Sequence, residues 1–400
     1  MLMHIVYITV EFVTEKISGG LGTYVDNMAK IMSAHGHKVS VITLSHEDKE
    51  FYYHDRIRVI RVKEDRQQYK ILRTLVNSWR LRHELHRLDR KDKVDIVQIA
   101  SLHAIGFFKS RRNPSIARIS SDNALLRHAD EYAFDMERAV QDKTLFDRME
   151  LYAVRHADYA FAPSKCCARI VAKRARCRVG IIESPYVCMA QEEDASVYHN
   201  KLAGKKYLLF NSTLSTLKGT PVSIAAVDEL MNRYPDLYMV YAGIDGGIIS
   251  SDGVRMPAKN ILNHFNKKYD GRVIYLGCLK REQLFPIISN AYACVLLSRI
   301  ENLSNSCIEA MARGKIVIAT YGASFEQLIR NKENGLLIQR DSHKALLKAV
   351  RYLDSMSEEE RARIGAAAQK SVERLGEECV YNNMMKVYSD LIKKFRRKIV

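Results

Sequence analysis

Residues 301–309 read Glu301-Asn302-Leu303-Ser304-Asn305-Ser306-Cys307-Ile308-Glu309, followed by Ala310-Met311-Ala312-Arg313-Gly314-Lys315. The apolar run Cys294–Leu297 precedes this stretch and Ile316–Ala319 follows it, so the local pattern is strand, loop, helix, strand. Asn302, Ser304, Asn305 and Ser306 are residue types that cap helices, and they stand where the helix should begin. A helix start leaves free N–H groups and a positive dipole end, which suits a phosphate. Glu309 falls on the first turns of that helix. Its carboxylate would accept hydrogen bonds from a neutral polyol and repel a phosphate. One acid in the loop and one on the helix, flanking amides, fit a ligand that is part phosphate and part sugar.

The same alternation runs through the whole chain. His4–Val10 reads as a strand leading into Gly19-Gly20-Leu21-Gly22, then a helix over Thr23–Ala34 and a strand over Lys38–Thr43. Further strands are expected at Arg56–Val62, Asp95–Ile99, Ile116–Ile119, Tyr159–Phe161 and Val179–Ile182, with helices at Tyr69–Leu88, Arg138–His156 and Pro163–Arg174. Alternating strands and helices argue for a parallel sheet covered on both faces. Glu183-Ser184-Pro185 breaks the rhythm, and it resumes with strands near 207–210, 238–242, 273–276, 294–297 and 316–319. Three helical stretches close the chain. The expected fold is α/β, with two tandem Rossmann-like doubly wound domains, a cleft between them and a helical C-terminal tail. The expected boundaries are 1–183, a linker at 184–203 that includes the polar acidic patch Gln191–Asp194, 204–375, and a helix at 376–400 packing back on the first domain. Ligands of such sheets bind at the carboxyl ends of the strands.

Composition narrows the classes. Four hundred residues suit two domains, and a hydrophobic content of 47% supports ordinary cores. No apolar run approaches the ~18 residues of a membrane span, and the first, Ile5–Val10, is too short for a signal peptide. The eight cysteines include no C-x-x-C spacing, which argues for a reducing cytosol and against a zinc site. The net charge of +17 suits phosphorylated ligands, an anionic membrane surface or nucleic acid. No groove-reading or single-strand motif accompanies the charge, so nucleic acid is not expected.

The quoted residues resemble the retaining family 4 glycosyltransferases of the GT-B fold. Glu301 and Glu309 match that family's E-x7-E motif, and the residues from Ala310 to Ala319, Glu326 and Asn334–Leu337 match the segment after it. Gly19-Gly20 with Gly36-His37-Lys38-Val39-Ser40-Val41 matches the N-terminal loop and helix, and Lys218-Gly219 forms a third block. The resemblance implies transfer of a sugar from a nucleotide-diphosphate sugar to a saccharide or lipid-linked acceptor, with retention at the anomeric carbon. It implies that Glu309 binds the donor ribose and that Glu301 contacts the sugar. The backbone of Asn302, Leu303, Ser304 and Asn305 would hold sugar and diphosphate. Lys218 would neutralise the departing diphosphate, and Gly19 and Gly20 would approach it from the other domain. Glu301 and Lys218 are thus the catalytic candidates. The acceptor would attack on the leaving-group face, a phosphate oxygen taking its proton, with no protein nucleophile. No cofactor or metal is expected, and the chain contains no D-x-D.

Two positions depart from the family pattern. Asn211-Ser212-Thr213 stands where the family has a Gly-Arg pair, and Ser120-Ser121-Asp122 stands where it often has a His. His103, Ser120 and Asp122 are therefore the acceptor-side candidates. Arg73, Arg80 and Arg87 recur at seven-residue spacing along one helical stripe. They read either as a solvated face or as a patch for anionic lipid headgroups; the chain is expected in the cytoplasm, and the second reading would set it peripherally on the inner face of the plasma membrane. A degenerate scaffold subunit and a nucleotide-sugar epimerase are the alternative functions.

Overall fold

The computed structural model describes residues 2–15, 19–141, 143–187 and 193–399. The chain forms two units. One comprises Met1–Ala124, Val140–Val187 and Leu375–Val400, and the other Leu125–Ala139 and Cys188–Arg374.

The first unit holds β1 (His4–Thr9), β2 (Lys38–Ser45), β3 (Lys49–Tyr53), β4 (Ile57–Lys63), β5 (Ile96–Ala100), β6 (Ser115–Arg118), β7 (Tyr159–Ala162) and β8 (Gly180–Ile181). They form one sheet in the order β3-β4-β2-β1-β5-β6-β7-β8. Every pair is parallel except β3 with β4. β1 is buried along its whole length and β5 likewise, as a central strand covered on both faces requires. The antiparallel strand β3 is absent from the sequence expectation. Its residues are exposed or half-buried, and it covers the edge of β4. Helix Gly20–Ala34 buries Tyr24, Val25, Met28, Ala29 and Met32 against the sheet.

The C-terminal helix Glu377–Ile399 belongs to this unit and contributes Val380, Met384, Tyr388, Leu391 and Ile392 to its core. A buried polar chain fixes its position. The Tyr388 hydroxyl donates to Gln98 Oε1 at 3.0 Å, and Gln98 Nε2 donates to the Tyr24 hydroxyl at 3.0 Å. The Arg118 guanidinium lies 3.7 Å from the Tyr24 ring centroid. A register slip of the helix would leave these buried groups unpaired, at about 1–3 kcal/mol each.

The second unit holds β9 (Lys206–Asn211), β10 (Leu214–Ser215), β11 (Leu237–Ala242), β12 (Asp245–Ile249), β13 (Arg255–Met256), β14 (Val273–Gly277), β15 (Ala293–Leu296), β16 (Val317–Thr320) and β17 (Leu336–Ile338). Its main sheet is parallel in the order β14-β11-β9-β15-β16-β17. A small sheet β10-β12-β13, too short to show a period in the sequence, sits beside it.

Three expectations change. The single helix over Arg138–His156 is two helices, Met136–Gln141 and Leu145–His156. Thr144 and Asp147 form a capping box that restarts the second. The first domain is not contiguous, because residues 125–139 belong to the second unit. Of the linker expected at 184–203, residues 188–192, including Gln191, lie outside the described residues, and Ser196–Lys201 is helical.

Candidate active site

The carboxyl ends of β9 and β15 bring Lys218 and Glu301 together. Lys218 Nζ lies 2.5 Å from Glu301 Oε1, and Ser298 Oγ donates to the same oxygen at 2.7 Å. The backbone of Glu301 is held on both sides. Its N–H donates to Ala323 O at 2.9 Å, and its carbonyl accepts from Ser324 Oγ at 2.8 Å. Both side chains keep some exposure, 24% for Lys218 and 14% for Glu301. A pair so exposed adds little to stability, but a ligand can reach it.

Gly219 explains how Lys218 reaches this place. Its φ is +75°, and a Cβ there would lie 2.1 Å from the Leu297 carbonyl oxygen. Only glycine allows the turn before helix Thr220–Arg233 to press against the end of β15. The Arg299 N–H then donates to Leu217 O at 2.9 Å, tying the loops that carry Lys218 and Glu301 edge to edge.

Arg299 is a residue that the sequence reading missed. It is buried, and its guanidinium donates to Asp341 Oδ1 at 2.8 Å and to the carbonyls of Ala129, Glu131 and Tyr132 at 3.2, 2.5 and 2.9 Å. Asp130 accepts from the Leu217 N–H at 3.1 Å and pairs with Arg255. These bonds explain why residues 125–139 belong to the second unit. They also brace the residues flanking Lys218 and Glu301. No sequence spacing announces such a contact across 170 residues.

Ser304 caps helix Asn305–Ala312, its Oγ accepting from the Cys307 N–H at 3.4 Å, and Asn302 and Leu303 form the loop before it. Glu309 is 7% exposed on that helix, and Arg281 Nη2 reaches its Oε1 at 2.8 Å. Burial pushes the Glu309 pKa up, and the charges of Arg281 and Arg313 oppose the shift. Arg281, far away in the sequence, is the second missed residue. The third is Asn211, at the end of β9 where the family pattern has its Gly-Arg pair. It is 2% exposed, and both polar atoms of its side chain are buried without a hydrogen-bond partner. Buried amides are almost always satisfied, which sets Asn211 apart from an ordinary core residue.

The remaining candidates lie in the first unit. Gly19 precedes helix Gly20–Ala34, and the start of that helix is occupied by a carboxylate of the chain itself. Glu11 Oε1 accepts from the N–H groups of Gly19 and Gly22 at 3.2 and 2.9 Å. His103, after β5, is exposed and has a left-handed backbone with φ 57° and ψ 22°. Ser120, after β6, accepts from the buried Arg118 at 2.8 Å. Asp122 does not fit an acceptor contact. Its side chain is 5% exposed, pairs with Arg174 Nε at 2.9 Å and accepts from the Ala124 N–H. It is a buried structural partner, because a carboxylate at that depth needs a cation. The arginine stripe also divides. Arg80 donates to Lys63 O, and Arg87 pairs with Glu84 and Glu50, whereas Arg73 makes no such contact among the described residues.

Two family models match the chain: "Glycosyltransferase Family 4" over residues 18–184 and "Glycosyl transferases group 1" over residues 191–371. The spore coat protein SA of Bacillus subtilis (strain 168) is 26% identical over 202 residues, which are 47% of this chain and 49% of that protein. The chain thus spans about half the length of the curated relative it matches. Sucrose-phosphate synthase from Thermosynechococcus elongatus is similar in structure, with a TM-score of 0.78 and 19% identity over 98% of this chain and 100% of that one. The Anabaena protein HepE in complex with UDP-glucose gives a TM-score of 0.70 and 14% identity, covering 97% and 100%. With one family model on each half and structural likeness along nearly its whole length, the chain belongs to the family 4-like glycosyltransferases of the GT-B fold.

Proposed function

We propose that the protein is a retaining glycosyltransferase that needs no metal. It would move a sugar from a nucleotide-diphosphate sugar to a saccharide or lipid-linked acceptor in envelope or extracellular polysaccharide synthesis. The observation that carries this reading is the contact of Lys218 with Glu301 at the carboxyl ends of β9 and β15. In the resting chain each neutralises the other. A donor diphosphate would draw the Lys218 ammonium to itself. That would free the Glu301 carboxylate, still held by Ser298, to accept from sugar hydroxyls. The negative charge that develops on the leaving diphosphate would then meet a cation already in place, which lowers the barrier without reorganisation. Glu309, shared with Arg281, would accept from the ribose hydroxyls, and the amides of residues 302–305 would line the sugar and phosphates.

UDP donors are the first choice, because similar structures hold UDP or UDP-glucose. No described helix is long and apolar enough to cross a membrane. We place the enzyme in the cytoplasm, peripheral on the inner face of the plasma membrane. The test is a thermal-shift panel of nucleotide sugars on the wild type, Glu309→Ala and Glu301→Gln. A ligand that binds only the folded chain raises its Tm. The reading expects one donor to stabilise the wild type, Glu309→Ala to lose that shift, and Glu301→Gln to keep binding while turnover falls at least a hundredfold. If no nucleotide sugar binds or is slowly hydrolysed, the scaffold alternative replaces the enzyme.

A further inference from the structure

The site described above uses the carboxyl ends of the strands in the second unit. At their amino ends an open recess of about 420 Å³ lies across the starts of β9, β15 and β16. β9 is six residues long, so roughly 16 Å of strand separate its two ends. Small-molecule sites measure about 300–1,000 Å³, and this recess falls in that range. Lys206 opens β9, Asn290 and Tyr292 precede β15, Lys315 precedes β16, and Glu358 and Arg361 stand on helix Glu358–Val372.

Three cations from three elements therefore meet here, and the packing holds them in place. The Tyr292 ring joins two of them: Lys206 Nζ lies 4.6 Å and the Arg361 guanidinium carbon 5.5 Å from its centroid. Gly365 sets the third beside them. A Cβ at Gly365 would lie 2.2 Å from the Gly314 carbonyl oxygen, so the helix presses backbone to backbone on the turn that carries Lys315. A glycine inside a helix costs about 0.5–1 kcal/mol relative to alanine, and nothing larger fits at this contact. Arg361 lies four residues before Gly365 and shares its face of the helix.

The charges are unevenly answered. Lys206 is paired with Asp354 at 3.0 Å and with Asp236 at 3.6 Å. Lys315 and Arg361 have no ion-pair partner among the described residues, and Arg361 donates to the Met356 carbonyl at 2.5 Å. Burial lowers the pKa of Lys315, and the group that opposes the shift is the buried Cys294 thiol rather than a carboxylate. A half-buried ammonium with no acid beside it favours an anion brought from outside. Two acids limit what fits. Glu358 lines the recess, and the exposed Glu359 lies within range of the Arg361 charge. They repel a ligand charged throughout and suit one whose other end carries hydroxyls.

We propose that this recess is a second ligand site, for a monosaccharide phosphate. Lys315 and Arg361 take the phosphoryl group, the guanidinium fork holding two of its three terminal oxygens. Glu358 and Asn290 take the sugar hydroxyls. The assignment is independent of the glycosyltransferase reading, because none of these residues belongs to the donor site.

The test is isothermal titration calorimetry of the full chain with glucose 1-phosphate, with inorganic phosphate and glucose as controls. The expected result is saturable binding of the sugar phosphate, weaker binding of inorganic phosphate and none of glucose. Lys315→Gln should weaken binding roughly tenfold or more, as loss of a charged hydrogen bond does. Because Lys315 is half-buried, a second variant guards against misfolding. Ala362 is exposed, lines the recess and stands on a helix, where glutamate is well tolerated. Ala362→Glu should abolish binding at an unchanged Tm. Lys218→Ala, altered at the other ends of the strands, should bind as the wild type does. No saturable heat in the wild type, or binding that Ala362→Glu leaves intact, overturns the site. Inorganic phosphate that binds as tightly as the sugar phosphate overturns the sugar assignment. Binding lost in Lys218→Ala would put the ligand at the carboxyl ends and overturn the recess.

Discussion

Replacing Glu150 with glutamine should stabilise the first unit at pH 7.5 and leave its stability nearly unchanged at pH 4.5. Glu150 is buried and faces the His103 N–H, the Asn123 amide, Lys70, Asp122 and Asp147. Burial raises its pKa from 4.5 to about 8, helped by Asp122 and Asp147 and opposed by the His103 N–H and Lys70. In the unfolded chain the carboxyl ionises at its ordinary value, so above pH 4.5 folding must take up a proton. The group's favourable share is therefore complete below pH 4.5 and is lost as the pH rises to about 8. Each pH unit in that window costs ~1.4 kcal/mol, so three units amount to roughly 4 kcal/mol as an upper bound. Glutamine keeps the carbonyl that both donors use and has nothing to ionise. A gain of about 2–4 kcal/mol at pH 7.5 corresponds to a Tm increase on the order of 5–15 °C for a unit of this size. Calorimetry across pH 4.5–8 measures it. A Tm difference that does not change with pH would show that Glu150 is ionised in the folded chain and would refute the reasoning.

Other variants address the second unit. Gly219→Ala puts a Cβ against the Leu297 carbonyl at positive φ, so a loss of at least ~3 kcal/mol in urea denaturation is expected, and a wild-type midpoint would contradict the turn. Arg299→Met strands Asp341 and three carbonyls at a cost of about 3–5 kcal/mol. It should release residues 125–139 first, read as faster amide exchange there than elsewhere in the unit; uniform exchange would count against the brace. Asn211→Leu removes two unsatisfied buried atoms and should raise stability by about 1 kcal/mol while weakening donor binding. A variant that is less stable and binds as before would show that Asn211 is an ordinary core residue.

The alternating periods of the sequence carried the two parallel sheets, because a central strand must be apolar on both faces and a covering helix on one. β1, β5 and β9 show this directly, whereas the edge strand β3 and the sheet β10-β12-β13 are too short or too polar to leave a period. The start of a new helix at Leu145 depended on the capping box at Thr144, and helical periodicity on both sides concealed it.

What the sequence determined by itself was the chemistry on offer: two acids spaced across a helix start, a lysine followed by glycine, and the strand ends that carry them. Neighbours in the chain decide such features, since a turn needs its glycine and a helix start its cap. The tertiary structure decided which groups meet. It brought Lys218 to Glu301 and Arg281 to Glu309, and drew residues 125–139 onto Arg299. It turned Asp122 inward to Arg174. Those outcomes depend on side chains far apart in the sequence arriving at one depth and orientation, and no local pattern encodes that.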